Sequence, residues 1–124
     1  MPRILVVDDE IHIRMLYARE LEDEGYDVAV AATPEEALRA LRVSRPDLVV
    51  LDIELEDSNG LDLLNRIRQE FRDLFVVINS AYSTYKADFQ TWLADAYIMK
   101  SSDLKPLKEK VRQLLTEGAC DRTI

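Results

Sequence analysis

A chain of 124 residues with 48% hydrophobic content has the size of one domain and enough apolar surface to form a core without disulfides or a structural metal. Its 24 acidic residues outnumber 16 basic ones for a net charge of -8, which argues against a nucleic-acid surface and fits a soluble protein that resists self-association. The single cysteine, Cys120, excludes an internal disulfide, no apolar run is long enough to span a membrane, and Asp8 interrupts the N-terminal apolar run, so a reducing cytoplasm is the expected setting.

Apolar runs then alternate with helix-like segments along the chain. Arg3 to Val7 reads as strand one, followed by Ile13, Leu16, Tyr17 and Leu21 at helical spacing and a stop at Gly25. Asp27 to Ala31 alternates polar and apolar residues, which predicts a second strand nearer an edge. Thr33, Pro34 and Glu36 form a helix start in which Thr33 caps, Pro34 takes the first turn and Glu36 completes a capping box; Ala37, Leu38 and Leu41 give the buried face. Pro46 and Asp47 punctuate before strand three, Leu48 to Leu51. After an acidic loop, Leu61, Leu64 and Ile67 mark a third helix, and Phe75 to Ile78 a fourth strand ending at Asn79 and Ser80. Tyr82 to Leu93 reads as a fourth helix, Tyr97 to Met99 as a fifth strand ending at Lys100, and Asp103 as the cap of a last helix carrying Leu104, Leu107, Val111 and Leu114, with Gly118 as its stop. The β-α order repeated five times predicts a doubly wound, flavodoxin-like parallel sheet with strand order 2-1-3-4-5. Residues 1–118 form the domain and 119–124 a short tail.

The informative feature is where the apolar runs stop. Strand one runs into Asp8, Asp9 and Glu10, and strand three into Asp52. Short all-apolar strands are buried on both faces, and open α/β sheets place their ligand sites at the C-terminal strand ends. Several carboxylates gathered there resist joint ionisation unless a cation joins them, and a hard divalent ion such as Mg²⁺ suits oxygen ligands. The neighbouring strands add the hydroxyl of Ser80 and the ammonium of Lys100. An aspartate can attack phosphorus, while a metal and a lysine neutralise the transferred phosphoryl group. The set therefore has the chemistry of a phosphoryl acceptor.

With ILVVDDE, RPDLVVLDIE, NGLDLL, VINSAY and YIMK in order, the chain resembles the receiver domain of two-component response regulators from about Arg3 to Leu115. The resemblance implies that Asp52 is the phosphoacceptor. Asp9, Asp52 and the backbone carbonyl of Glu54 would bind Mg²⁺ directly, and Asp8 through water. Ser80 is then the switch hydroxyl, Tyr97 the switch aromatic and Lys100 the phosphate-contacting lysine. It further implies a histidine kinase or phosphotransfer protein as donor, and an output protein met through the face of the fourth helix, fifth strand and fifth helix. Homodimerisation on phosphorylation is one outcome it allows; direct nucleic-acid or membrane contact is not expected. Such a protein is a phosphoacceptor that assists its own phosphorylation and dephosphorylation rather than an enzyme. Met1 and the short tail fit a stand-alone receiver, or a piece of a longer regulator.

Four positions depart from the family pattern. Glu56 replaces a common proline, and with Glu54 and Asp57 adds charge near the site. The stretch from Ser80 to Lys100 is about two residues short, Leu93 replaces a common glycine, and Ser101 follows Lys100 where proline is usual, which predicts an altered loop. Among simpler readings, His12 faces solvent. Tyr82, Tyr85, Phe89 and Trp92 share one helix face that packs on the sheet in part. Lys105, Lys108, Lys110 and Arg112 form a solvated face. Two other function classes are an aspartate-nucleophile phosphatase and a pseudo-receiver that binds partners without phosphorylation. The first would usually carry Asp-x-Asp, where this chain has adjacent Asp8 and Asp9; the second sits poorly with a full set of site residues.

Overall fold

The structure, a computed structural model, describes residues 2–52, 60–80, 94–101 and 103–118. The elements in order are β1 (Arg3–Val7), α1 (Ile11–Asp23), β2 (Asp27–Ala31), α2 (Pro34–Ser44), β3 (Leu48–Leu51), α3 (Gly60–Glu70), β4 (Phe75–Ser80), β5 (Ala96–Met99) and α4 (Lys105–Gln113), which widens into a π-helical turn at Leu114–Gly118. The five strands are all parallel in the order β2-β1-β3-β4-β5, the doubly wound topology expected from the β-α alternation. The expected fourth helix, with Tyr82, Tyr85, Phe89, Trp92 and Leu93, lies outside the described residues, so α4 here corresponds to the expected fifth helix.

Both sheet faces are covered, which explains why β1 and β3 are apolar almost without interruption. One face turns Leu5, Val7, Val49, Leu51, Val76 and Ile78 against Ala37, Leu38 and Leu41 of α2 and Leu63, Leu64 and Ile67 of α3. The other turns Ile4, Val6, Leu48, Val50, Phe75 and Val77 against Tyr17 and Leu21 of α1 and Leu107 and Val111 of α4. β2 lies at one edge, as its alternation suggests, and Val30 is partly exposed there.

Local chemistry sets the element ends. α1 closes in a Schellman motif, in which the N–H of Gly25 donates to Glu22 O at 2.9 Å and that of Tyr26 to Leu21 O at 3.3 Å. Gly25 adopts φ +98°, a conformation that glycine reaches without a Cβ penalty. At α2 the Thr33 hydroxyl accepts from Glu36 N–H at 3.2 Å, as expected of the cap. The Glu36 carboxylate reaches the Thr33 hydroxyl rather than its backbone N–H, so only half of the capping box forms.

Two expectations shift. Leu16 lies at helical spacing with the core residues of α1 yet is 46% exposed; one residue along a helix turns about 100°, and Tyr17 takes the inward position. Asp103 does not occupy the cap of the last helix. Leu104 holds that position without a side-chain bond, and the Asp103 carboxylate accepts from Lys105 N–H at 3.0 Å, one step earlier. No cis peptide bond occurs among the described residues, so Lys100 passes to Ser101 in trans, and the Ser101 hydroxyl accepts from Asp103 N–H at 3.1 Å. No described helix is long and apolar enough to cross a membrane.

Candidate functional site

Strand register builds the site. Val7 pairs with Leu51 and Leu51 with Ile78, so Asp8, Asp52 and Asn79 fall in the next row at the C-terminal end of the sheet. Side chains alternate along a strand. With Val6, Val50 and Val77 facing α1 and α4, the residues two positions later face the same way. The backbone is pinned at this edge, with Asp8 N–H donating to Ala31 O at 3.1 Å and Asp52 N–H to Val7 O at 2.9 Å. Asp8 and Asp52 are buried and Asp9 is half-buried. One carboxylate oxygen from each of Asp8, Asp9 and Asp52 lies within 4.8 Å of the others, the donor set and spacing that a hard divalent cation requires.

Lys100, two residues beyond Ile98 on β5, reaches into this cluster. Its Nζ lies 2.8 Å from Asp8 Oδ2 and 3.0 Å from Asp52 Oδ2. Burial alone would lower the ammonium's pKa, but the hydrogen bonds to Asp8 and Asp52 outweigh it and hold the group above the usual lysine value. Asp8 is further ordered: its Oδ1 accepts from Glu10 N–H at 2.9 Å, and its carbonyl accepts from Arg14 Nη1 at 2.9 Å, tying the acid loop to α1. Beneath the cluster the Tyr17 hydroxyl donates to Asn79 Oδ1 at 2.8 Å. Burial raises the Tyr17 phenol's pKa and the Asp8 and Asp52 carboxylates add to the rise, while Lys100 offsets part of it.

The structure thus brings Asp8, Asp9, Asp52 and Lys100 together. Ser80 closes β4 at the same edge, and its side chain is outside what is described. Glu54, Glu56 and Asp57 lie outside the described residues. Tyr97 is half-buried and packs on the face of α2 and α3, opposite to the face that holds the acids. His12 is exposed, and Lys108 of the basic cluster pairs with Glu20 on α1 at 2.6 Å. Sequence reasoning missed the Tyr17–Asn79 pair. Its signal was a carboxamide at the end of an all-apolar strand and a tyrosine in an otherwise aliphatic stripe.

A parallel sheet with acids at the ends of β1 and β3 and a lysine after β5 defines the class of doubly wound domains with an acidic strand-edge site. Comparison with known proteins makes this specific. The response regulator receiver domain family matches residues 4–112, and the chain belongs to that family. It is 45% identical to the response regulator TrrA of Thermotoga maritima, whose structure in complex with Mg²⁺-BeF has a TM-score of 0.88 over 92% of this chain and 99% of that one. TrrA has also been solved in complex with the histidine kinase ThkA, with a TM-score of 0.87 over 94% of this chain and 100% of that one. Among curated proteins the chain is 38% identical over 116 residues to a probable transcriptional regulator, ycf27, of Cyanophora paradoxa, covering 91% of this chain and 48% of that protein. It is 33% identical to the response regulator ArlR of Staphylococcus saprophyticus, covering 93% of this chain and 53% of that protein. The chain therefore spans about half the length of these curated relatives.

Proposed function

We propose that residues 1–118 act as a phosphorylation-controlled switch, with Asp52 as phosphoacceptor and residues 119–124 as a tail. The observation that carries this reading is the Lys100 ammonium bridging Asp8 and Asp52, with Asp9 alongside. A phosphoryl acceptor needs a nucleophilic carboxylate and fixed positive charge for the phosphoryl oxygens, and this arrangement has both. A carboxylate oxygen of Asp52 attacks the phosphorus of a phosphohistidine on a histidine kinase or phosphotransfer protein. The P–N bond breaks and its electron pair stays on the imidazole. Lys100 then releases Asp52 and contacts a phosphoryl oxygen. The acids fit Mg²⁺: Asp9, Asp52 and the Glu54 carbonyl would hold it directly, and Asp8 through water. When bound, the ion supplies positive charge against the phosphoryl oxygens.

The Ser80 hydroxyl answers the phosphoryl group, Tyr97 follows it, and the change is read at the surface around β5 and the last helix by an output protein or a second copy of the chain. The receiver assists its own phosphorylation and dephosphorylation, works in the cytoplasm and touches no nucleic acid itself. For the donor, α1 offers Ile11 and Met15, one turn apart and 55% and 64% exposed, with Leu16 beside them. This apolar face starts three residues after Asp8, where a phosphohistidine-bearing helix would have to approach, and the TrrA–ThkA complex supports a kinase as the partner. Incubation with acetyl phosphate and Mg²⁺ followed by intact-mass measurement tests the reading. A phosphoryl adduct that Asp52→Asn abolishes is expected, and its absence from the wild type refutes the proposal.

A further inference from the structure

Among the described residues, the buried polar or charged side chains are Asp8, Asp52 and Asn79. Lys100 pairs with the first two. The third has no charge to neutralise and occupies the row beside Asp52, on the same sheet face. Its partner, Tyr17, comes from a helix 62 positions away in the chain and is itself buried. Two apolar side chains of similar shape would serve the core about as well as this polar pair, since a buried hydrogen bond adds little net stability. The pair's position beside Asp52 gives it a use that packing does not.

A carboxamide has an acceptor end and a donor end. The Tyr17 hydroxyl takes the acceptor end, which fixes the amide plane and leaves the NH₂ as the end that Tyr17 does not hold. We infer that Tyr17 is a positioning residue that holds Asn79 so that its NH₂ donates to the Asp52 oxygen bearing the phosphoryl group, and that the pair thereby shortens the life of the phosphorylated state. The inference rests on the phosphoacceptor reading of Asp52. In hydrolysis, water attacks phosphorus and the bond from phosphorus to the Asp52 oxygen breaks, leaving its electron pair on the carboxylate. One water proton stays on the new phosphate hydroxyl and the other passes to solvent. Negative charge grows on the Asp52 oxygen as the bond breaks, so a donor fixed beside it stabilises the transition state more than the neutral acyl group.

The test uses Tyr17→Phe, Asn79→Leu and the double variant. Each protein is labelled with acetyl phosphate and Mg²⁺ and freed of the donor. Loss of the adduct is then followed by intact mass, beside urea unfolding of the unlabelled protein. Loss of one hydrogen bond to a charged group slows hydrolysis about tenfold, so each single variant keeps its phosphoryl group about ten times longer. The double variant matches the singles in lifetime, because the two residues act as one unit. It recovers stability lost in the singles, because no buried polar group remains without its partner. A packing role predicts the reverse: lifetime returning with stability in the double variant, or unchanged decay in Asn79→Leu, and either result overturns the inference. A wild type that takes no phosphoryl group overturns the phosphoacceptor reading and this inference with it. Labelled wild type with unchanged decay in the variants overturns only the role of the pair.

Discussion

Replacing Lys100 by methionine keeps most of the length and the apolar stem of the side chain and removes the ammonium that bridges Asp8 and Asp52. Both carboxylates are buried, and Asp9 adds a third negative group within 4.8 Å. Removing one partner of a fully buried ion pair costs about 3–5 kcal/mol, because the remaining charge has lost its counter-ion as well as its water. Two features reduce that figure here. The Lys100 side chain is 18% exposed, so solvent already screens part of the interaction, and Asp8 keeps its hydrogen bond from Glu10 N–H. Set against this, Lys100 serves two acids at 2.8 and 3.0 Å rather than one. The expected loss in metal-free buffer is about 2–4 kcal/mol, which for a domain of this size lowers the melting temperature by roughly 6–15 °C. Urea unfolding of wild type and Lys100→Met with a chelator present measures it, with equal m-values required for the comparison. Saturating Mg²⁺ should narrow the gap, because a divalent ion on the acids replaces the lost ammonium and stabilises the state it binds. Equal midpoints in chelator would refute the idea that the two buried acids depend on Lys100.

The same pairing has a pH signature. Lys100 is held above the usual lysine value of 10.5, so its contribution is complete below that value and is lost as pH rises through the higher folded value. Alkaline urea titrations should therefore show wild type losing stability above pH 10.5 more steeply than Lys100→Met, and parallel curves would contradict this. Asp9→Asn removes a carboxylate from the half-buried position of the cluster; calorimetry should find Mg²⁺ affinity lowered by about tenfold or more, with no loss of stability in chelator. Gly25→Ala meets nothing within 4 Å of the new Cβ but must adopt φ +98°, so it should cost about 1–2 kcal/mol purely from backbone conformation, read from the urea midpoint.

β1 and β3 were legible to the residue because each contains an uninterrupted run of four apolar residues closed by aspartate, the pattern of a strand buried on both faces. Their strand-end acids followed directly, since alternation and register turn a position in sequence into a place on the sheet edge. The double engagement of Lys100 was not legible, because its reach past β4 and β3 to Asp8 depends on side-chain path rather than spacing. Leu16 misled for a related reason. Helical spacing admits both Leu16 and Tyr17 to a broad apolar stripe, and only the packing of α1 on β1 and β2 chooses between them. Asp103 sits one residue too early because Leu104 is needed in the core, where it is buried against the sheet, and the helix begins after it. Tyr17 read as one more residue of the apolar stripe of the first helix and Asn79 as the end of the fourth strand; their meaning lies in a contact between distant parts of the chain.

Two-sided burial poses a problem that the site residues themselves solve. Register is usually fixed by alternation, since a one-residue slip moves every apolar side chain to the wrong face. In β3 all four residues are apolar and buried, so a slip would exchange one apolar face for another and alternation specifies little. What brackets the run is an aspartate at either end. Asp47 is held at the lower edge, where its N–H donates to Arg3 O at 2.8 Å and its carboxylate accepts from Arg3 N–H at 2.9 Å. Asp52 is held at the upper edge by its N–H bond to Val7 O and by Lys100. Sliding β3 one residue in either direction would draw one of these carboxylates into the sheet, away from its cation or its backbone donor, at a cost of several kcal/mol. The acid proposed to take the phosphoryl group therefore also fixes the strand that presents it. Asp52→Asn removes the charge but keeps the polar end, which makes it the substitution best able to test chemistry without loosening the register.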